Sequence, residues 1–304
     1  MLEYGGYLNQ AARHFGIPPE AWLDLSTGIA PWSYPLPAVP EAVWQRLPEE
    51  DDGLEAVAAD YYGFGGGSSE ESFLMLPGSQ AAIQSLPHLL PPGRVAMATP
   101  LYNEHPAAWK AAGHQAVAWQ AAADYAVLCR PNNPTGVVRD RDELLERARQ
   151  LRLLVVDEAF IDAGPSRSSL IGCGRENVVV LRSLGKFFGL AGVRLGCVIG
   201  PKDLLGRLRE VLGPWAVSHP ARWAARQALA DRGWHERQRG RLQAASVRLD
   251  DLLRQARLNP SGGCSLFSYC PTPRAAAIHE ALARRGILVR LFSEPAALRF
   301  GLPA

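Results

Sequence analysis

Five apolar runs in the first two-thirds of the chain, residues 73–76, 95–98, 125–129, 153–156 and 178–181, each end in a polar or glycine-bearing motif. Near-continuous apolar strands are buried on both faces, as in parallel sheets. A half-solvated antiparallel sheet would alternate apolar and polar residues instead. Around the runs lie segments with helical periodicity at 54–62, 81–90, 106–112 and 142–150. Further short strands are expected near 116–119 and at 197–199. This alternation predicts an α/β chain with a mostly parallel sheet covered by helices. It also places the motifs along the carboxyl edge of that sheet, where open α/β sheets bind ligands.

The pattern changes after Gly200-Pro201. Helices are expected over 203–212, 222–230 and 234–256, then a strand at 265–269, a helix at 275–285 and strands at 287–290 and 298–300. This reads as a smaller α+β domain, joined by a short helix at 8–15 and a strand at 22–26. The expected organisation is a large domain over 31–201 and a small domain made of 1–30 with 202–304. The chain stops four residues after Phe300, so a closing helix reads as missing. With 304 residues, 47% of them hydrophobic, there is ample material for such cores.

Charge and cysteine usage narrow the function. A net charge of +2 gives no electrostatic case for nucleic acid or an anionic membrane surface. The Arg-rich patch Arg237-Gln238-Arg239-Gly240-Arg241 reads as the solvated face of a helix. The five Cys are odd in number and contain no Cys-x-x-Cys, and the seven His show no ligand spacing, so no metal is expected. No charged-then-apolar leader and no bilayer-length apolar run occurs, and a soluble cytoplasmic protein is the default expectation.

The stretch from Arg182 to Gly196 carries the most chemistry. Ser183 is followed by Lys186, and then by Arg194 within Gly192-Val193-Arg194-Leu195-Gly196. A lysine among small and apolar neighbours is partly desolvated, which disfavours its charged form and exposes an amine nucleophile. Ser183 and Arg194 offer a hydroxyl and a guanidinium to an anion. Pro77-Gly78-Ser79-Gln80 reads as a strand, a glycine turn and a helix start, whose first N–H groups also favour an anion. Each of these has a plain structural alternative, such as a surface lysine in a strand-to-helix loop or a helix start with no ligand.

Taken together, Gly78-Ser79-Gln80, Tyr102, Asn133-Pro134-Thr135-Gly136, Asp157-Glu158-Ala159-Phe160, Ser183-x-x-Lys186 and Gly192-x-Arg194-x-Gly196 resemble the class I/II aminotransferase superfamily. The likeness runs from about Leu2 to the C-terminus. It implies the aspartate-aminotransferase fold and pyridoxal 5'-phosphate (PLP) as cofactor. It further implies that Lys186 makes the Schiff base and moves protons, and that Asp157 pairs with the ring nitrogen. Tyr102 would stack on the ring face and Asn133 would donate to the ring oxygen. Gly78, Ser79, Gln80, Ser183 and Arg194 would hold the phosphate. Gly28, Asn133, Arg290 and Arg299 would face the substrate, with Arg299 clamping its carboxylate. A Walker-type reading of Asp157 fails because no Gly-x-x-x-x-Gly-Lys-Ser/Thr loop exists, and no Gly-x-Gly-x-x-Gly stands at a strand end.

Within the superfamily, Asp157-Glu158-Ala159-Phe160-Ile161-Asp162 is similar to the subgroup holding histidinol-phosphate aminotransferases and the threonine-phosphate decarboxylases of cobalamin synthesis. Phe160, the run from Trp22 to Pro31, Arg46–Leu54, Pro214-Trp215-Ala216-Val217 and Leu298–Pro303 all resemble the decarboxylases. Two positions depart from the pattern. Tyr4 stands where that group usually has a His that helps bind the substrate phosphate, and Leu47 stands where relatives often carry Tyr. The resemblance implies decarboxylation of L-threonine O-3-phosphate by a homodimer. Its alternatives are a histidinol-phosphate-type aminotransferase and a catalytically silent binding protein.

Overall fold

Every residue of Tyr125–Cys129 and Leu153–Asp157 is buried, as expected of strands covered on both faces. The computed structural model describes residues 5–64, 71–164 and 169–304. Its strands, in chain order, are β1 (Leu23–Leu25), β2 (Glu71–Leu76), β3 (Arg94–Met97), β4 (Gln115–Ala118), β5 (Tyr125–Cys129) and β6 (Leu153–Asp157). They continue with β7 (Val178–Ser183), β8 (Gly196–Pro201), β9 (Gly262–Cys264), β10 (Phe267–Pro271), β11 (Ile287–Phe292) and β12 (Ala297–Gly301).

The larger sheet has the order β2-β8-β7-β6-β5-β3-β4. All its pairings are parallel except those of β8, which runs antiparallel to both neighbours. The register sets the site. Cys129 lies opposite Asp157, and Asp157 opposite Leu181, so β5 and β6 end level with one another and β7 runs two residues further, to Ser183. Gly196 opens β8 opposite both Ser183 and Leu76. The expectation that every polar motif follows a strand end therefore has one exception. Arg194 precedes its strand, and the reversed direction of β8 returns it to the same edge.

Side chains on the two faces form separate cores. On one, Ile83, Leu86, Trp109 and Leu208 pack on Leu76, Val95, Val127 and Val155. On the other, Leu144, Ala148 and Leu151 pack on Ala126, Leu128, Leu154 and Val156. The second sheet, ordered β1-β11-β12-β10-β9, is antiparallel apart from the β1–β11 pair.

Three sequence expectations change. The helix expected over 81–90 is α-helical only over Ser79–Ser85 and tightens to a 3-10 turn at Leu86–Leu89. Pro87 lacks the N–H that the α-helical ladder needs. Strand β9 was not expected, because Gly262-Gly263-Cys264 carries no strand pattern. It forms by pairing with β10, Cys264 opposite Phe267. The Arg-rich patch on the helix Arg232–Gln255 is only partly solvated. Gln238 is buried and donates to the carbonyls of Trp32 (2.8 Å) and Phe187 (3.3 Å). Arg239 donates to the Asp162 carbonyl at 3.0 Å, and the Arg241 guanidinium lies 3.6 Å from the Trp32 ring centre.

Candidate active site

A cavity of about 220 Å³ opens at the carboxyl edge of the larger sheet. Its lining includes Lys186, Asp157, Tyr102, Gly78, Ser79, Gln80, Asn133, Ser183, Arg194, Gly28, Arg290 and Arg299, so the structure gathers all the sequence-expected site residues in one place. Tyr4 lies outside the described residues. The neighbouring Gly5 and Gly6 are held, with the Gly6 N–H donating to Ser26 Oγ at 2.7 Å.

Lys186 follows β7. The lack of solvent around its amine, and the guanidiniums of Arg299 and Arg194, push its pKa down to about 8 against the opposing pull of Asp157. The charged ammonium is costly where water is scarce and two cations are near. Phe160 contributes to the dryness. Lys186 Nζ is 5.6 Å from its ring centre, and the ring packs edge-on against Phe267 at 5.2 Å. Gly28 admits this ring, since a Cβ there would lie 2.7 Å from Phe160 Cε1.

Asp157 ends β6 and is 5% exposed. A buried carboxylate needs partners. Its Oδ1 accepts the Ala159 N–H at 3.0 Å, and its Oδ2 lies 3.0 Å from Nε2 of buried His105. With the carboxylate as acceptor, His105 takes the tautomer that donates from Nε2. Cys129 Sγ is 3.8 Å from the same oxygen. His105 and Cys129 escaped the sequence reading. The available signal was the three-residue spacing of Tyr102 and His105, one helical turn apart, with the His105 N–H on the Tyr102 carbonyl at 3.0 Å.

Gly78, Ser79 and Arg194 form a cradle. Gly78 has φ +78°, and a Cβ there would fall 2.8 Å from Arg194 Nη2, so glycine is needed both for conformation and for space. Arg194 itself is left-handed, with φ 57°, and its Nη1 donates to the Ala191 carbonyl at 3.3 Å. Gln80 differs from its neighbours. Its amide donates to Glu104, and its Oε1 accepts from the Tyr102 hydroxyl at 3.4 Å. With its side chain so engaged, Gln80 has its main-chain N–H left to offer an anion.

Arg299, in β12, lies opposite Arg290 in β11. It is 6% exposed, and its hydrogen bonds run to Asn133 Oδ1 (2.6 Å) and the Ser26 carbonyl (3.1 Å). Both acceptors are neutral, and among the described residues no carboxylate pairs with it. Burial and the Arg290 charge lower its pKa to about 10, with Cys264 and Tyr102 opposing. Among the described residues its Nε has no hydrogen-bond partner. A buried guanidinium without an acid is a site for an anion that the chain itself does not supply.

Comparison with known proteins agrees with this arrangement. Residues 51–304 match the family model for class I and II aminotransferases. A threonine-phosphate decarboxylase of Pseudomonas aeruginosa is 51% identical, the match covering 100% of this chain and 94% of that protein. One from Sinorhizobium sp. is 42% identical over 99% of this chain and 93% of its own length. Among solved structures, the PLP complex of Sinorhizobium meliloti histidinol-phosphate aminotransferase superimposes with a TM-score of 0.83 at 18% identity. That match covers 99% of this chain and 90% of that one, and shows that the fold is shared. With the motif residues gathered around one lysine and most of its length matched, this chain belongs to the class I and II aminotransferase family.

Proposed function

We propose that this chain is a PLP-dependent carboxy-lyase. It would convert L-threonine O-3-phosphate to (R)-1-amino-2-propanol O-2-phosphate and CO2 in cobalamin biosynthesis. Full-length similarity to threonine-phosphate decarboxylases supports the substrate. The observation that carries the reading is the buried, acid-free guanidinium of Arg299 beside Arg290, within the cavity that holds Lys186. A substrate bearing a carboxylate and a phosphate suits two adjacent guanidiniums.

The residues fit the cofactor. Gly78, Ser79, Ser183 and Arg194 would hold its phosphate, Asp157 its ring nitrogen, Asn133 its ring oxygen and Tyr102 its face. When bound, PLP supplies an electrophilic carbon for imine exchange and an electron sink for the cleaved bond. Lys186 is suited to the exchange because, with its pKa lowered to about 8, about a tenth of its amine is neutral at pH 7, far more than in an ordinary lysine. The same Nζ can hold or return a proton to the carbon that loses CO2. Arg299 orients the carboxylate so that the bond to it, rather than the Cα–H bond, stands in line for cleavage. Phe160 and Phe267 keep bulk water from that face.

The enzyme is proposed to act as a homodimer. Trp44, Leu47, Val211 and Trp215 are 59–65% exposed. The segment carrying Trp44 and Leu47 is tied to that carrying Val211 and Trp215 by the Arg209–Glu50 ion pair and by His219 Nδ1 at 3.4 Å from the Arg46 carbonyl. Exposed apolar side chains of this size are common at subunit contacts.

Product analysis tests the reaction. Incubating the holoenzyme with L-threonine O-3-phosphate is expected to release one CO2 per amine formed, without pyridoxamine phosphate. Pyridoxamine phosphate with a keto product would instead mark a transaminase.

A further inference from the structure

Glu104 lies outside the reacting groups, yet its carboxylate is joined to two side chains next to the cavity. It is 8% exposed and opens the helix Glu104–Ala111, two residues after Tyr102 and one before His105. Its Oε2 accepts from the amides of both Gln80 and Gln84, the latter at 2.6 Å. Gln80 and Gln84 are four residues apart on the helix Ser79–Ser85, so they share one face and converge on a single oxygen. Once the Gln80 NH2 is committed to Glu104, its carbonyl must point the other way. There it accepts the Tyr102 hydroxyl at 3.4 Å.

We propose that Glu104 is a positioning residue for the cofactor, a role that rests on the function proposed above. It locks the helix that begins at the Gly78-Ser79 cradle to the turn that carries Tyr102 and His105. The phosphate-holding group, the ring-stacking group and the partner of Asp157 thereby share one rigid frame. Glu104 does not touch the substrate. It acts through the Gln80 amide, whose orientation it fixes, and through the spacing between the two segments. Removing the buried acceptor leaves the half-buried Gln80 amide without the partner that orients it and cuts the exposed Gln84 loose from the turn, and losing a charged acceptor in this way is commonly large enough to rearrange a site.

The experiment compares parent, Glu104→Ala, Glu104→Gln and Gln84→Met enzymes, each stripped of cofactor and titrated with PLP. Visible circular dichroism reports how the ring is held. Glu104→Ala is expected to weaken PLP binding about tenfold or more and to reduce the dichroic band. Glu104→Gln keeps an acceptor oxygen for both amides and is expected to restore affinity to within about threefold. At saturating PLP, kcat should fall in Glu104→Ala while the KM for threonine phosphate stays within about twofold, because Arg290 and Arg299 sit on the other sheet. Should Glu104→Ala fail to fold, Gln84→Met decides, with weaker PLP binding in the same direction expected. Unchanged PLP affinity and dichroism in Glu104→Ala, or in Gln84→Met when that variant decides, would overturn the proposal. So would a loss confined to thermal stability. A parent enzyme with a normal visible band beside such silent variants overturns only the role of Glu104. A parent enzyme with no band overturns the cofactor reading and this role together.

Discussion

Lys186 and Arg299 are both cations in one cavity where water is scarce, and each is pushed toward its neutral form by burial and a neighbouring guanidinium, Arg299 acting on Lys186 and Arg290 on Arg299. Opposite uses follow from their different chemistry. A lysine near 8 exchanges its proton close to neutral pH, whereas an arginine near 10 stays charged there and awaits an anion. Covalent capture of PLP by cofactor-free enzyme needs the neutral amine. Its rate should rise as pH increases through about 8 and level off above, followed by stopped-flow absorbance. A midpoint near the ordinary lysine value of about 10.4 would contradict the environment described for Lys186. Arg299→Lys keeps a positive charge but loses the planar fork that holds Asn133 Oδ1 and the Ser26 carbonyl together. Steady-state kinetics should show kcat/KM for threonine phosphate reduced by about 100-fold or more, which corresponds to roughly 3 kcal/mol of lost transition-state binding.

At the scale of elements, the site depends on how loops are pressed together. Strand β9 lies against the turn that carries Asn133, and a Cβ at Gly262 would sit 2.1 Å from the Thr135 carbonyl oxygen. Gly262→Ala must displace that turn, and is expected to cost about 1–3 kcal/mol in denaturant unfolding and to weaken PLP binding. The segment before the helix Leu54–Tyr62 is clamped in another way. Arg222 donates to Asp52 at 2.7 and 3.0 Å and to Glu55 at 2.7 and 2.8 Å. Burial pushes the Asp52 carboxyl up, but Arg222 and the Leu54 N–H outweigh it and hold it below its usual value of 3.8. A carboxyl lowered on folding stabilises the fold above its unfolded pKa and loses that contribution as pH falls through the folded one. The stability gap between parent and Arg222→Met should therefore be full near pH 6 and shrink below about pH 4, as read from urea midpoints.

These same elements show what the sequence makes legible. The strands of the larger sheet could be read because burial on both faces demands continuous apolar runs. Lys186, Asp157 and Asn133 stood out because each follows such a run. Strand β9 could not be read, since pairing to β10 rather than its own residues makes it a strand. His105, Cys129 and Glu104 were hidden for a related reason. Their partners, Asp157, Gln80 and Gln84, are 20 to 52 positions away along the chain. The direction of β8 was equally invisible, because an apolar strand reads alike in either sense.

The whole molecule places two sheets so that each supplies part of one cavity. The larger gives the lysine, the aspartate and the phosphate cradle, and the smaller gives Arg290, Arg299 and, through Ser26, the anchor of Gly6. No helix among the described residues is long and apolar enough to cross a membrane. If the exposed Trp44–Trp215 surface joins two subunits, sedimentation should show a dimer for the parent and a shift toward monomer for Trp215→Glu. A parent that sediments as a monomer at micromolar concentration would rule that contact out. The central claim is that the amine of Lys186 holds PLP in the cavity lined by Asp157 and Arg299. Borohydride reduction of the holoenzyme followed by peptide mass mapping tests it most directly. The label is expected on the peptide containing Lys186, with loss of the visible band and of decarboxylation. A label on another lysine, or an unlabelled Lys186 in active enzyme, would contradict it.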